Sequence, residues 1–165
     1  AETTNGRIFT LKPGAAAVSL LVEDKALLGG VDGIAFGGDG TLYVNNVRQN
    51  TMLRVNRKAD GSFASLTTLR VSAPLDGPDG LRPLGGNRFL QAEGPAGRLS
   101  LLTIEGDDVT VKVLKDGLDG VPGVARIGNT AYAIESKGRF LFDPKLKGQD
   151  PGAFALRAVP IGGVQ

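Results

Sequence analysis

The chain of 165 residues contains no cysteine, no histidine and no tryptophan, and only 5% of it is aromatic. Without cysteine there are no disulfides, thiolate metal sites or cysteine nucleophiles. Without histidine no Ser-His-Asp or Cys-His site can be assembled, and the usual general base near neutral pH is missing. Any chemistry must use carboxylates, Lys, Arg, Tyr, Ser, amide groups or a bound metal. Long apolar runs are also absent. The stretch from Ala15 to Val22, broken by Ser19, falls well short of the roughly 20 residues that cross a bilayer as a helix, so no membrane span is expected. The 19 basic and 17 acidic residues are interspersed, with no basic run, which gives no footing for nucleic-acid binding.

What is abundant is glycine, 25 residues, with 9 prolines, punctuation too frequent for helices of normal length. One short helical turn fits at 23–28. Elsewhere a repeat emerges. Asp32-Gly33-Ile34-Ala35-Phe36 leads through a glycine turn into Thr41-Leu42-Tyr43-Val44-Asn45-Asn46. Asp79-Gly80-Leu81 leads in the same way to Arg88-Phe89-Leu90-Gln91-Ala92-Glu93, and Gly123-Val124-Ala125 to Thr130-Ala131-Tyr132-Ala133-Ile134-Glu135. The anchors Gly33, Gly80 and Gly123 are spaced like four-stranded β-propeller blades, whose period is about 40–50 residues.

Each hairpin is followed by further alternating apolar runs, at 51–56 and 62–69, at 98–104 and 109–114, and at 139–142 and 154–159. The leading segments 7–11 and 18–22 read as the outer strands of a preceding blade. The expected fold is therefore all-β: a partial propeller of about three and a half blades and fourteen strands, divided into 1–28, 29–75, 76–119 and 120–165. A β-sandwich also has many short strands, but it does not require the repeat. Blades bury their faces on one another, so an arc with two uncovered flanks needs a cover. The expected partner is a second copy or a missing N-terminal half.

The Asp-Gly hairpins, Asp32 to Val44 and Pro78 to Leu81, resemble the senescence marker protein (regucalcin) and gluconolactonase-like family of six-bladed propellers. The tail, with Leu141-Phe142-Asp143-Pro144 and Ala158-Val159-Pro160, resembles exported bacterial members. The likeness covers nearly the whole chain, which would correspond to the C-terminal half of a family member. It implies Ca²⁺ or another divalent cation at the channel, a small sugar-acid lactone as substrate, and Asp79 as a metal ligand. Asp32 stands where the family has a metal-binding Asn, and the family's first-blade Glu lies in the half this chain lacks. An Ala1 start fits a processed exported chain or an excised piece, and the expected location is periplasmic or extracellular.

Blade geometry alone also predicts a functional face, since the start of strand one and the end of strand two meet at one rim of the channel. The candidates are Asp32 and Asp79 as metal ligands and catalytic residues, Asp32 as ligand or base, with Asn45, Asn46, Glu93 and Glu135 as substrate-binding groups. Oxygen donors of this kind suit a hard cation. The competing reading is structural: Asp before Gly caps turns, Asn forms loops, and Glu at a strand end is solvated. Arg48, Lys137 and Arg139 are loop cations near the same rim. Two functions remain open, a non-catalytic ligand-binding module of the cell envelope and a metal-assisted lactone or ester hydrolase.

Overall fold

The computed structural model describes residues 1–163. Its elements are β1 (Arg7–Thr10), β2 (Ser19–Glu23), α1 (Lys25–Leu28), β3 (Val31–Phe36), β4 (Leu42–Asn46), β5 (Thr51–Arg57), β6 (Phe63–Thr68) and β7 (Arg70–Val71). They continue with β8 (Pro78–Gly85), β9 (Arg88–Glu93), β10 (Arg98–Glu105), β11 (Asp108–Lys115), β12 (Val124–Ile127), β13 (Thr130–Glu135), α2 (Arg139–Phe142), a 3-10 turn (Pro144–Leu146) and β14 (Ala155–Pro160). The strands form a two-stranded sheet β1-β2, a four-stranded sheet β3-β4-β5-β6, a five-stranded sheet β8-β9-β10-β11-β7 and a three-stranded sheet β12-β13-β14. Among the described residues all pairings are antiparallel except the short parallel contact of β7 with β11. This is the propeller architecture expected from the repeat.

Three apolar clusters separate the four sheets in series. Ile8 and Val22 of the first sheet and Leu28 of α1 pack on Leu42, Val44 and Leu53. Tyr43 and Met52 meet Leu81 and Phe89, with the Tyr43 and Phe89 rings edge to face at 5.3 Å. Leu90 and Leu99 meet Val124 and Ala133. No strand run could bury its apolar face within its own sheet, so each blade depends on its neighbour.

Two details differ from the sequence expectation. The run 139–142, expected as a strand, is the helix α2. Its backbone closes on itself, Phe142 N–H to Gly138 O and Asp143 N–H to Arg139 O, while the Asp143 carboxylate accepts from the Lys145 N–H to start the 3-10 turn. With this run tied up in local bonds, β14 pairs directly with β13 and the last sheet has three strands. The second difference is β7, which leaves the 29–75 segment to edge the following sheet, with the Arg70–Asp108 ion pair at the contact.

The inner strands β3 and β8 both open on a bulge. Their registers slip between Val31 and Ile34 and between Pro78 and Leu81, where the Asp-Gly pairs lie. A bulge re-aims the side chain it carries.

Candidate functional site

The bulges turn Asp32 and Asp79 toward one another from adjacent blades, near enough for their carboxyl groups to share a hydrogen bond. Between them the backbones almost touch. A Cβ on Gly33 would lie 2.3 Å from the Asp79 carbonyl oxygen, and one on Gly80 would lie 2.8 Å from that of Pro122. The Gly80 N–H donates to Pro122 O at 3.0 Å. The anchor glycine is thus required at this step of the repeat because the next blade's inner strand occupies the space of a side chain.

Asn45 binds the two bulges together. It is fully buried; its Oδ1 accepts from the Gly33 N–H at 2.7 Å, and its Nδ2 donates to Asp79 O at 2.6 Å and to Gln91 Oε1 at 3.3 Å. Gln91, which sequence reading passed over as a strand residue, is also fully buried, and its Nε2 has no partner among the described residues. The alternation of β9 gave no signal for it, since both faces of that strand are covered.

The electrostatics follow from the juxtaposition. Asp79 is pushed up to about 7, first by burial, then by the Asp32 charge and the hydrogen bond to Asp32, against a smaller opposing effect of the Gly80 N–H. Burial also raises Asp32, while its hydrogen bond with Asp79 works the other way. One proton shared by two acids is the expected state of such a pair. Asp79 holds its proton in the folded state up to about pH 7, whereas an ordinary Asp loses it near 3.8. The folded form therefore binds more protons between those values, and stability falls as pH rises through that window, then levels off. Asp79→Asn should remove this slope. It is expected to leave stability at pH 4 nearly unchanged and to raise it at pH 8 by about 1–2 kcal/mol, a figure reduced for solvent screening of a half-buried pair. Urea unfolding at the two pH values checks it.

The other candidates occupy equivalent repeat positions, and their polar atoms bond inward. Asn46 is buried, donating to Leu27 O and Gly29 O and accepting from the Arg48 and Gln49 N–H groups. Buried Glu93 accepts from the Asp76 N–H, Ser100 Oγ and Arg98, the last at 2.7 Å. Glu135 accepts from the Asp119 N–H at 3.1 Å and pairs with Arg157 at 2.7 Å, and these contacts hold its carboxyl below the usual range. Each pins a loop that joins blades. Of the loop cations, Arg139 pairs with Asp119 and Lys137 donates to Pro151 O. The structure therefore brings together Asp32, Asp79 and Asn45, and places Asn46, Glu93 and Glu135 in loop anchoring. Among the described residues no group of three or more metal-binding side chains is assembled.

No family model and no curated protein matches the sequence. Solved structures do. Regucalcin from Agrobacterium tumefaciens strain C58, described as a calcium-binding protein, matches with a TM-score of 0.66 at 17% identity, over 97% of this chain and 54% of its own. A luciferin-regenerating enzyme matches at 0.64 and 16%, over 88% and 49%. A protein provisionally named gluconolactonase matches at 0.54 and 20%, over 71% and 38%. The chain spans about half the length of these structures or less, and at such identities the likeness is one of fold. That fold is the β-propeller, as the repeat of Asp-Gly hairpins indicates. No described helix is long and apolar enough to cross a membrane.

Proposed function

We propose that the rim formed by Asp32 and Asp79 binds a divalent cation such as Ca²⁺, and that this chain serves as a ligand-binding propeller arc. The observation that carries the reading is the carboxyl pair. Two acids from successive blades are held against each other at bulges, a repulsive arrangement that a doubly charged ion relieves. The donor chemistry fits: carboxylate oxygens are the ligands hard cations prefer. Ca²⁺ takes about six to eight oxygens, so two carboxylates leave the remainder to water or to groups outside this chain. Affinity is then expected in the range of extracellular calcium modules, about 10⁻⁴ to 10⁻³ M. A periplasmic or extracellular setting, where free Ca²⁺ reaches such levels, suits a site of that strength. The similar structure described as a calcium-binding protein supports the reading.

A hydrolytic role has one observation in its favour, a carboxyl pushed up to about 7 beside a second carboxyl, in the range where a general base works best. In that reading the cation would polarise the carbonyl of a small sugar-acid lactone, Asp79 and Asp32 would orient it, and one of them would accept a proton from water.

Calorimetric titration with Ca²⁺ tests the site. Binding requires the doubly ionised pair, so affinity should fall up to about tenfold per pH unit below 7 and plateau above it. About one proton per ion should be released at pH 6 and almost none at pH 8.5. Asp79→Ala should abolish binding, and Glu135→Gln should not. Binding that ignores pH or survives Asp79→Ala would place the ion elsewhere. Cation-dependent turnover of a lactone panel, lost in Asp79→Ala, would establish the hydrolase; binding without turnover leaves the ligand-binding reading standing.

A further inference from the structure

At the far end of the strands that begin with Asp32 and Asp79, the two middle sheets part over a cleft of about 540 Å³, within the range of about 300–1,000 Å³ common for small-molecule sites. It lies between the β3–β4 turn, the second half of β5, and the turns that follow β8 and β10. These sheets have four and five strands, so the walls of the cleft are built whatever covers the first and last sheets.

The repeat shows that this space need not be polar. Tyr43 and Arg54 are cross-strand partners on β4 and β5, and the pair in the same register one blade on is Leu90 and Leu101. Those leucines are buried in the apolar cluster that joins the β8 sheet to the next. In the cleft the leucine position of β10 is taken by a guanidinium whose side chain is only 23% exposed. An apolar pair would hold the blades together as well or better, because removing charges from water offsets much of what an ion pair gains.

Arg54 is fixed where it stands. Its Nε donates to Asn56 Oδ1 at 3.0 Å, one terminal nitrogen to Gly106 O at 3.0 Å and the other to Asp107 Oδ1 at 2.7 Å. Among the described residues these bonds use three of its five N–H groups and leave one on each terminal nitrogen. Exposed Arg57, along the same strand, donates to Gly40 O at 2.7 Å and lies over the Phe36 ring. From the facing sheet Asn87 brings an amide. A Cβ on Gly37 would lie 3.0 Å from Asn87 Oδ1, 3.1 Å from Asp39 Oδ1 and 3.2 Å from Tyr43 Cε2, so three polar side chains from both sheets converge on one bare backbone position. Asp39 is itself held by the Thr41 N–H at 2.9 Å. Asp39, and Asp107 bonded to Arg54, balance the two arginines.

We propose that this cleft binds a neutral polyhydroxylated small molecule, a monosaccharide or sugar alcohol, with the remaining N–H groups of Arg54 on adjacent hydroxyl oxygens and Asp39 accepting a hydrogen bond from a hydroxyl. Guanidinium and amide N–H groups donate, the carboxylate and the amide oxygen accept, and the Thr41 and Tyr43 hydroxyls do either. A ligand hydroxyl is donor and acceptor at once, so a polyol satisfies the whole lining. An anion would meet Asp39 without a surplus of positive charge, and an apolar ligand would strip water from the arginines with nothing in return. A hexose bound with the efficiency of ordinary small ligands would have a dissociation constant of about 1 mM.

NMR titration of the ¹⁵N-labelled chain with D-glucose, D-galactose, D-mannose and sorbitol, each to about 50 mM so that a millimolar site saturates, tests it. At least one should shift the Arg54 and Arg57 Nε–H resonances and the Gly40, Asn87 and Gly106 amides saturably, and leave the Gly33 and Gly80 amides in place. D-Glucuronate, the same ring with a carboxylate, should bind no tighter than D-glucose. Arg54→Leu, which copies Leu101, should weaken binding about tenfold or more while its thermal midpoint stays near the parent's or rises. Should that variant not fold, Arg57→Ala, at an exposed position, should still weaken binding about threefold or more. Silence from all four neutral ligands, tighter binding of glucuronate, or affinity unchanged in both arginine variants would overturn the proposal. Asp79→Ala should leave the sugar shifts intact, and their loss would place the ligand at the other rim. Sugar and Ca²⁺ are thus read at opposite ends of the strands, and either proposal can fail alone.

Discussion

Glu93→Ala is expected to lower the free energy of unfolding by about 3–5 kcal/mol, the cost of breaking a buried ion pair by removing one partner. The Glu93 side chain is wholly buried, and Arg98, 24% exposed, reaches it at 2.7 Å. The same carboxylate satisfies the Asp76 N–H and the Ser100 hydroxyl. Truncation removes the counter-charge of a partly buried guanidinium, which keeps its bond to Pro74 O, and leaves a backbone donor and a hydroxyl without their acceptor, in a segment that leads straight into the Asp79 bulge. Denaturant unfolding at pH 7 measures the loss. If Glu93→Ala does not fold, Glu93→Gln, which keeps the shape and removes the charge, should give a smaller loss in the same direction. The Ca²⁺ affinity of the folded fraction should stay within a few fold. A Glu93→Gln chain of unchanged stability that no longer bound Ca²⁺ would instead return Glu93 to the ligand set.

Gly33→Ala is the second substitution with a large expected effect, and it acts through sterics alone. The new methyl would lie 2.3 Å from the Asp79 carbonyl oxygen, 2.7 Å from Asn45 Nδ2 and 2.9 Å from Leu81 Cβ. The first obstacle is backbone, so relief requires β8 to move away from β3. Overpacking of this kind costs about 1–3 kcal/mol and sometimes more, and the backbone contact puts Gly33→Ala at or above the upper end. The displacement also separates the acids. Asp79 should titrate closer to an ordinary carboxyl, and the decline in stability between about pH 4 and 7 should flatten. Chemical denaturation across that range reports both effects. A cost below about 0.5 kcal/mol with the slope intact would mean that the two bulges are further apart than described.

How much was legible beforehand differs by level. The strands of the middle blades follow from alternation between glycine turns, and their observed limits fall within a residue or two of the expected ones. The run 139–142 has the composition of a strand but no partner within reach, and local hydrogen bonds made it helical. Asn46, Glu93 and Glu135 end β4, β9 and β13, as the alternation predicts. Their direction depends on which N–H groups the folded loops leave unsatisfied, and Asp76, Asp119 and Arg48 supplied them.

By itself the sequence determined the repeat, the all-β class and the position of an Asp-Gly pair at the head of two inner strands, because period, turn chemistry and glycine are local properties of the chain. Only the tertiary structure decided that Asp32 faces Asp79, that Asn45 holds the two bulges and that Gln91 lies behind it. Those relations join residues 34 to 47 positions apart across two blades, and their energies depend on distance and burial that exist only after the blades have packed.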